Sequence, residues 1–272
     1  MPILSELLSK TDWIAPDEVP RPIVVFGTMM DEAGAIELDL HRHQKGQIIL
    51  VQRGALSCEV EGGLWIVPPR SAIWIPGGAL HAIKASGALE GYNAFIDPRV
   101  AAGLPATCCA VSVTPLLREL LARAAHLPYL YEEGGANSRL VSVLLDEVAA
   151  AQVEDLHLPM PADPRLRRIA DEMVAAPAER RSLAAWARRA GMSERTLMRL
   201  IDRETGMSFG RWRQQLGVVL AVKWLAGGAS IQKVAADLGY ESAPSFVTMF
   251  RKALGASPGR YMAERHPGRA LG

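Results

Sequence analysis

One seven-residue pattern occurs twice in the last third of the chain. GMSFGRW at 206–212 and GASPGRY at 255–261 agree at glycine, serine, glycine, arginine and a closing aromatic, 49 residues apart. What precedes each copy also agrees. Ala187 is followed four positions later by Gly191, then by Leu197 and Ile201; Ala235 is followed by Gly239, then by Phe246 and Phe250. A small residue lets two helices approach, and a glycine four positions on supplies the sharp turn between them. The i, i+4 apolar pair buries the second helix against the first. This grammar restricts the region to two helix-turn-helix units, whose second helices have the form that enters a DNA major groove. Between the copies, residues 209–226 read as one helix, roughly 27 Å long at about 1.5 Å per residue. Such a rod can hold two reading heads in successive grooves on one face of a duplex, with some bending of the DNA.

The charge balance agrees with that reading. Overall the 272 residues carry a formal net charge of +1. Residues 1–162 hold 11 basic and 19 acidic side chains, a balance of −8, whereas residues 163–272 hold 19 and 10, a balance of +9. A soluble basic domain most often meets nucleic acid. The near-neutral total and an apolar fraction of 49% exclude a disordered chain. No uncharged apolar run has the length of a membrane span. Glu6, Lys10 and Asp12 stand where a signal peptide needs an apolar stretch, so the chain is expected to stay in the cytoplasm. Cys58, Cys108 and Cys109 make no disulfide framework and fit a reducing compartment.

The first half has a different rhythm. AIELDLH, QIILVQ, LSCEVE, LWIVP, AIWIP and HAIKA are separated by Lys45-Gly46, Gly54, Gly62-Gly63, Pro68-Pro69 and Gly77-Gly78. Short strands at regular spacing argue for a small all-β barrel or sandwich. PLLRELLARAAHL and SRLVSVLLDEVAAAQ then show apolar residues every three or four positions, the mark of two amphipathic helices. LPMPADP has three prolines and no periodicity and reads as a linker. The expected organisation is α+β multidomain: a sensor and dimerisation domain over 1–158, a linker over 159–164, and an all-α domain with two helix-turn-helix units over 165–265. The apolar stripe Leu140, Val141, Leu144, Leu145 and Val148 exceeds what a barrel needs for packing, which predicts a homodimer paired through these helices.

SLAAWARRAGMSERTLMRLIDRETGMSFGRWRQQL and IQKVAADLGYESAPSFVTMFRKALGASPGRY resemble the two helix-turn-helix units of the AraC/XylS family of bacterial transcription regulators. The likeness covers about 182–261 and includes the closing G-x-S-P-x-x-Y. It departs at Gly217, where the family's linker helix usually carries arginine. In the first reading helix Leu197, Leu200 and Ile201 face inward, which leaves Arg195, Met198 and Arg199 on the opposite stripe. Arginine can pair bidentately with guanine; Thr196 and Arg203 are placed against phosphates. In the second helix Phe246 and Phe250 are core, leaving Ala243, Ser245, Thr248 and Met249 toward DNA, with Pro244 in the first turn. Arg188, Arg251 and Lys252 are further phosphate candidates. Short and apolar groups suit thymine methyls or weak hydrogen bonds, so the first unit is expected to carry more of the sequence reading.

His41-Arg42-His43 puts two imidazoles on one strand face, Gln47 follows, and PGGALH ends at His81. This order resembles the two cupin motifs, which implies a ligand set of His41, His43, Gln47 and His81, with glutamine where the motif has glutamate. The whole block from His41 to Ile83 is similar to the sensor domains of AraC-family regulators of nitroimidazole-resistance transporters, which implies control of a neighbouring transporter gene. Three imidazoles can hold a divalent transition metal such as zinc, nickel, iron or copper; they can equally line a metal-free effector pocket. Trp65 and Trp74, on either side of the double proline, are candidate walls for that pocket or ordinary core. Two functions therefore compete: a transcription regulator responding to a small molecule or metal, and a metal-dependent cupin enzyme with a DNA-binding tail. An enzyme needs a base beside an open metal position, and glutamine in place of glutamate leaves no carboxylate at the motif positions. A P-loop, a Rossmann fingerprint and a catalytic triad are also missing from the sequence. The sequence favours the regulator.

Overall fold

A computed structural model describes residues 15–31, 33–60, 63–154, 157–179 and 181–265. The N-terminal segment with Glu6, Lys10 and Asp12 lies outside the described residues. The chain separates into two compact units, one formed by Met1–Glu61 with Val67–Leu156, the other by Gly62–Ile66 with His157–Gly272.

The first unit is built on two antiparallel sheets. One runs in the order β1 (Ile23–Met30), β8 (Leu89–Ile96), β3 (Gly46–Arg53), β6 (Ser71–Ile75), β9 (Cys109–Ser112), β10 (Val153–Glu154). In the other, β7 (His81–Ser86) lies between β2 (Ala35–His41) and β4 (Leu56–Val60). Six strand segments expected from the sequence are present. β1 and β8 were not among them, although they pair in continuous register from Ile23 opposite Ile96 to Met30 opposite Leu89. Ile23 to Thr28 are all buried, so β1 shows none of the alternation that marks a half-exposed strand. Two helices follow, α1 (Pro115–Ala124) and α2 (Ala136–Ala149). Thr114 caps α1 by accepting the Leu117 N–H, and Pro115 occupies its first turn. Leu117 and Leu121 of α1, and Val141, Leu144 and Val148 of α2, face inward.

The second unit begins with a strand pair, β5 (Gly63–Val67) against β11 (His157–Pro159). Seven helices follow: α3 (Pro164–Ala175), α4 (Leu183–Arg189), α5 (Glu194–Thr205), α6 (Phe209–Ala226), α7 (Ile231–Asp237), α8 (Ala243–Leu254) and α9 (Pro258–Arg265). Serine sets most of their starts. Ser182, Ser193, Ser208, Ser230 and Ser242 each accept a backbone N–H three residues on, at the N-termini of α4 to α8. The turn residues Gly191 and Gly239 both have positive φ, +66° and +72°, a region costly for any residue with a Cβ. The second turn is one residue longer, with Tyr240 and Glu241 standing where the first unit has Met192 alone.

The segment expected as a linker is packed. Leu158 and Met160 are buried with Leu166, Trp186, Leu197, Trp212, Phe246 and Phe250 in one core. Trp212 Nε1 donates to the Pro159 carbonyl at 2.6 Å, and Gln215 Nε2 to that of His157 at 3.0 Å. The Glu204 carboxylate accepts the N–H groups of Ala162 and Asp163 just before α3. These bonds tie residues 157–163 to α5 and α6.

Candidate functional site

In the helical unit, α5 is two-faced. Leu197, Leu200 and Ile201 are buried, while Arg195, Met198 and Arg199 are exposed, Met198 at 45%. The buried stripe fixes the helix, and the opposite stripe leaves two guanidinium groups and a thioether exposed to solvent. Thr196 and Arg203 are engaged within the protein. The Thr196 hydroxyl meets Ser193 Oγ at 2.9 Å in the N-cap, and Arg203 pairs with Glu204 at 3.0 Å. In α8, Phe246 and Phe250 are buried and Ser245, Thr248 and Arg251 are exposed. Ala243 and Met249 are half-buried and pack against the core. Thr248 Oγ1 donates to the Pro244 carbonyl at 3.0 Å, and Ser245 pairs with Ser242. Arg188 and Lys252 are exposed.

In the first unit, the two sheets face one another across a cavity of about 630 Å³. Ile36, Leu38 and Ile83 line it from one sheet and Ile49, Asn93 and Phe95 from the other. A volume of that order suits a small molecule. His41, His43 and Gln47 line its polar end. His81 is fully buried beside them, with ring centroids 4.3 Å from His41 and 5.0 Å from His43. The PGGALH turn brings it there. The Gly78 N–H donates to the His43 carbonyl at 2.8 Å, and Gly77 lies so close to the Gln44 carbonyl that a Cβ would collide with it.

Each imidazole is held by its Nδ1. His41 Nδ1 donates to Asp39 O at 2.7 Å, His43 Nδ1 to Lys45 O at 2.5 Å, and His81 Nδ1 to Ala79 O at 2.9 Å. Carbonyl oxygens only accept, so Nδ1 carries the proton and Nε2 keeps its lone pair in the neutral ring. Burial pushes the His81 pKa down to about 4, so that ring is neutral near pH 7. His43 Nε2 lies 3.2 Å from Gln47 Oε1, Gln47 Nε2 donates to Asn93 Oδ1 at 3.0 Å, and Asn93 Nδ2 to Thr28 Oγ1 at 2.7 Å. Asn93 and Thr28 escaped the sequence reading, because the strands that carry them were not recognised. Their signal was a polar side chain in the middle of an otherwise buried segment.

The two tryptophans take other places. Trp65 stacks on His157, with centroids 4.5 Å apart and planes 19° from parallel. Trp74 is buried against Gly46 and donates from Nε1 to the Pro105 carbonyl at 2.7 Å. Both are held by packing within the framework, and neither is among the described residues lining the cavity.

A two-sheet domain with a ligand-sized cavity, in one chain with paired helix-turn-helix units, defines a ligand-binding transcription regulator. Residues 36–176 match the AraC-like ligand binding domain, and residues 186–264 match a helix-turn-helix domain. The chain is 44% identical over 233 residues to the HTH-type transcriptional regulator NimR of Escherichia coli K12, covering 85% of each chain. It is 37% identical over 103 residues to the HTH-type transcriptional regulator RipA of Corynebacterium glutamicum, covering 38% of this chain and 31% of that one. Among solved structures, ToxT of Vibrio cholerae O395 aligns at 10% identity with a TM-score of 0.39, over 91% of this chain and 99% of its own. The protein belongs to the AraC family of transcription regulators. The enzyme reading falls with that assignment.

Proposed function

We propose that the protein is a cytoplasmic homodimer that reads its operator chiefly through Arg195, Met198 and Arg199, and that a small effector in the 630 Å³ cavity controls that reading. The carrying observation is the two-faced α5, with three core residues holding it and two free-standing arginines opposite them. Ser245, Thr248 and Arg251 of α8 supply the weaker second contact. Arg203 reaches a phosphate only by leaving Glu204, an exposed pair that holds it weakly. Thr196 and Ala243 come close to the duplex by position. Control of a neighbouring transporter gene is supported by the resemblance of the His41–Ile83 block. DNase footprinting of the promoter beside its own gene, with purified full-length protein, tests the reading: a protected site that changes in the Arg195→Ala, Arg199→Ala variant supports it, and an unprotected promoter refutes it.

Dimerisation is supported by what α1 and α2 leave outside. Val141, Leu144 and Val148 are spent on intramolecular packing, yet Leu116 and Val143 remain 50% and 44% exposed. A two-fold contact covers such residues with copies of themselves. Light scattering of the full-length protein should give a dimer, and Val143→Glu should shift it toward monomer. A monomeric parent protein at tens of micromolar, on the order of a weak dimer's dissociation constant, refutes the idea.

A further inference from the structure

We infer that Asp202 is a specificity-determining residue of α5, its carboxylate accepting a hydrogen bond from the N4 amino group of a cytosine in the operator. This inference rests on the DNA reading proposed above and adds to it an acidic reader whose role the two arginines cannot fill.

Most acidic side chains described in the helical unit are neutralised. Asp163, Asp171, Glu172, Glu179, Glu204 and Asp237 each pair with an arginine or lysine. Glu194, Asp202 and Glu241 are exposed and make no ion pair or side-chain hydrogen bond with the described residues. Their positions differ. Seven residues make about two helical turns, so Glu194 stands in line with the buried Ile201, whereas Asp202 stands in line with the exposed Arg195. Met198 and Arg199, four and three residues before Asp202, flank it one turn back. Asp202 therefore lies within the stripe assigned to the groove.

Stability does not account for an acid there. Asp202 is in the last turn of α5, which ends at Thr205 with Gly206 as its cap. The carbonyl groups at a helix C-terminus disfavour an anion. Arg199 is near enough along the helix to pair with it, yet no ion pair joins the two. The repeat adds a contrast. Asp202 and Arg251 are 49 residues apart, the offset of the two copies, and so occupy the same place on α5 and α8, both exposed. An arginine has the length to swing from that place to a phosphate. A carboxylate one methylene from the backbone stays over the base edges, and phosphates repel it.

Base-edge chemistry selects the partner. In the major groove guanine presents two acceptors, and thymine an acceptor and a methyl group. Adenine sets its N7 acceptor beside its amino group, while cytosine presents the N4 amino donor alone. A side chain that only accepts is matched by cytosine and penalised by the others.

The test uses full-length protein, its Asp202→Ala variant and its Asp202→Asn variant. Each selects duplexes from a pool of random sequence. Affinities are then measured on the parent's selected duplex, on its single base-pair substitutions and on an unrelated duplex. The parent should prefer cytosine at one position by roughly ten- to hundredfold. Asp202→Ala should lose that preference and keep those that depend on Arg195 and Arg199. Asp202→Asn should move it toward adenine, with which an amide pairs bidentately. Both variants should bind the unrelated duplex more tightly than the parent, since a charge that repels phosphates is gone. Their unfolding midpoints should not fall; a fall would place the carboxylate's role in the fold and overturn the inference. Base preferences in Asp202→Ala that match the parent's at every position overturn it equally, even where all duplexes are bound more tightly, because the carboxylate is then only a charge beside the backbone. A parent protein that selects no motif overturns the DNA reading itself, and this inference with it.

Discussion

His41 and His81 stand directly opposite each other on β2 and β7, their ring centroids 4.3 Å apart. Strict alternation along β2 would not allow this. Ile36 and Leu38 point toward the cavity, so the next inward position should be residue 40. The register shifts between Leu38 and His41, and this irregularity turns His41 inward and leaves Leu40 at the rim, 62% exposed. Bulges re-aim side chains in this way beside functional sites. Leu40→Ser should accordingly change stability by no more than about 0.5 kcal/mol, measured by urea unfolding. A larger loss would mean that Leu40 packs against something in solution.

The Trp212–Pro159 bond predicts where the DNA-binding domain must begin. Trp212→Phe removes the Nε1 donor and leaves the half-buried Pro159 carbonyl without that partner, a cost of about 0.5–1.5 kcal/mol. A fragment starting at residue 163 loses that carbonyl altogether, along with the buried side chains of Leu158 and Met160. It should melt below a fragment starting at residue 157. Equal melting temperatures would show that residues 157–162 add nothing to the helical core.

These residues also show what the sequence conveyed and what it hid. The helix-turn-helix pair was legible because two copies of one pattern state their apolar spacing, glycine turns and capping serines twice over. Helix 209–226 was legible as one proline-free stretch between the two copies of the pattern, and the histidine cluster from two short motifs. Pro159 and Pro161 read as a break, since proline's local signal reveals nothing of the tryptophan waiting for the carbonyl beside it. Trp65 and Trp74 lie on strands whose two faces are both apolar, so their direction could not be derived from alternation. β1 was hidden for the same reason. The irregularity in β2 carries no glycine or proline to announce it, and only the pairing with β7 reveals the change of face.

Gly217 lies inside α6, and an added Cβ there would meet nothing within 4 Å. Glycine in a helix interior costs about 1 kcal/mol relative to alanine, and part of any gain comes from a less flexible unfolded chain. Gly217→Ala should therefore raise stability by about that amount in chemical denaturation. If the glycine gives the connecting helix useful flexibility, operators with altered spacing between the two half-sites should be bound less well by Gly217→Ala than by the parent. An unchanged unfolding midpoint would contradict the stability argument.

The thiols predict an alkaline limit to stability. Burial pushes the Cys58 thiol up from its ordinary value of 9.0 to about 12, with Glu59 adding to the shift, and burial raises Cys108 and Cys109 as well. The folded protein therefore resists ionising these groups more than the unfolded chain does. Their contribution is complete below about pH 9 and is lost as pH rises from there through the folded values. Unfolding free energy measured between pH 7 and pH 11 should fall at the alkaline end, and less steeply in Cys58→Ala. In the same pH 8 buffer the folded protein should react with iodoacetamide far more slowly than the urea-unfolded chain. Rapid alkylation of Cys58 in the native state would refute its burial.

The proposed reading roles of Arg195 and Arg199 make different demands on operator and unrelated DNA. A guanidinium paired to a base edge contributes to the cognate site and little elsewhere, whereas one on a phosphate contributes equally to every duplex. Each alanine variant should thus lose roughly ten- to hundredfold on the operator, the equivalent of about 1–3 kcal/mol, and much less on unrelated DNA. Arg251→Ala should behave in the opposite way, weakening both DNAs alike and reducing the dependence of log K on log salt by about one unit. Salt titrations of full-length protein on both duplexes separate the two cases, since the electrostatic share disappears as counterions are restored. Equal losses on operator and unrelated DNA for Arg195→Ala and Arg199→Ala would assign these arginines to the backbone. The sequence reading would then pass to Met198 and to the short side chains of α8, where thymine methyls rather than guanines would be the expected partners.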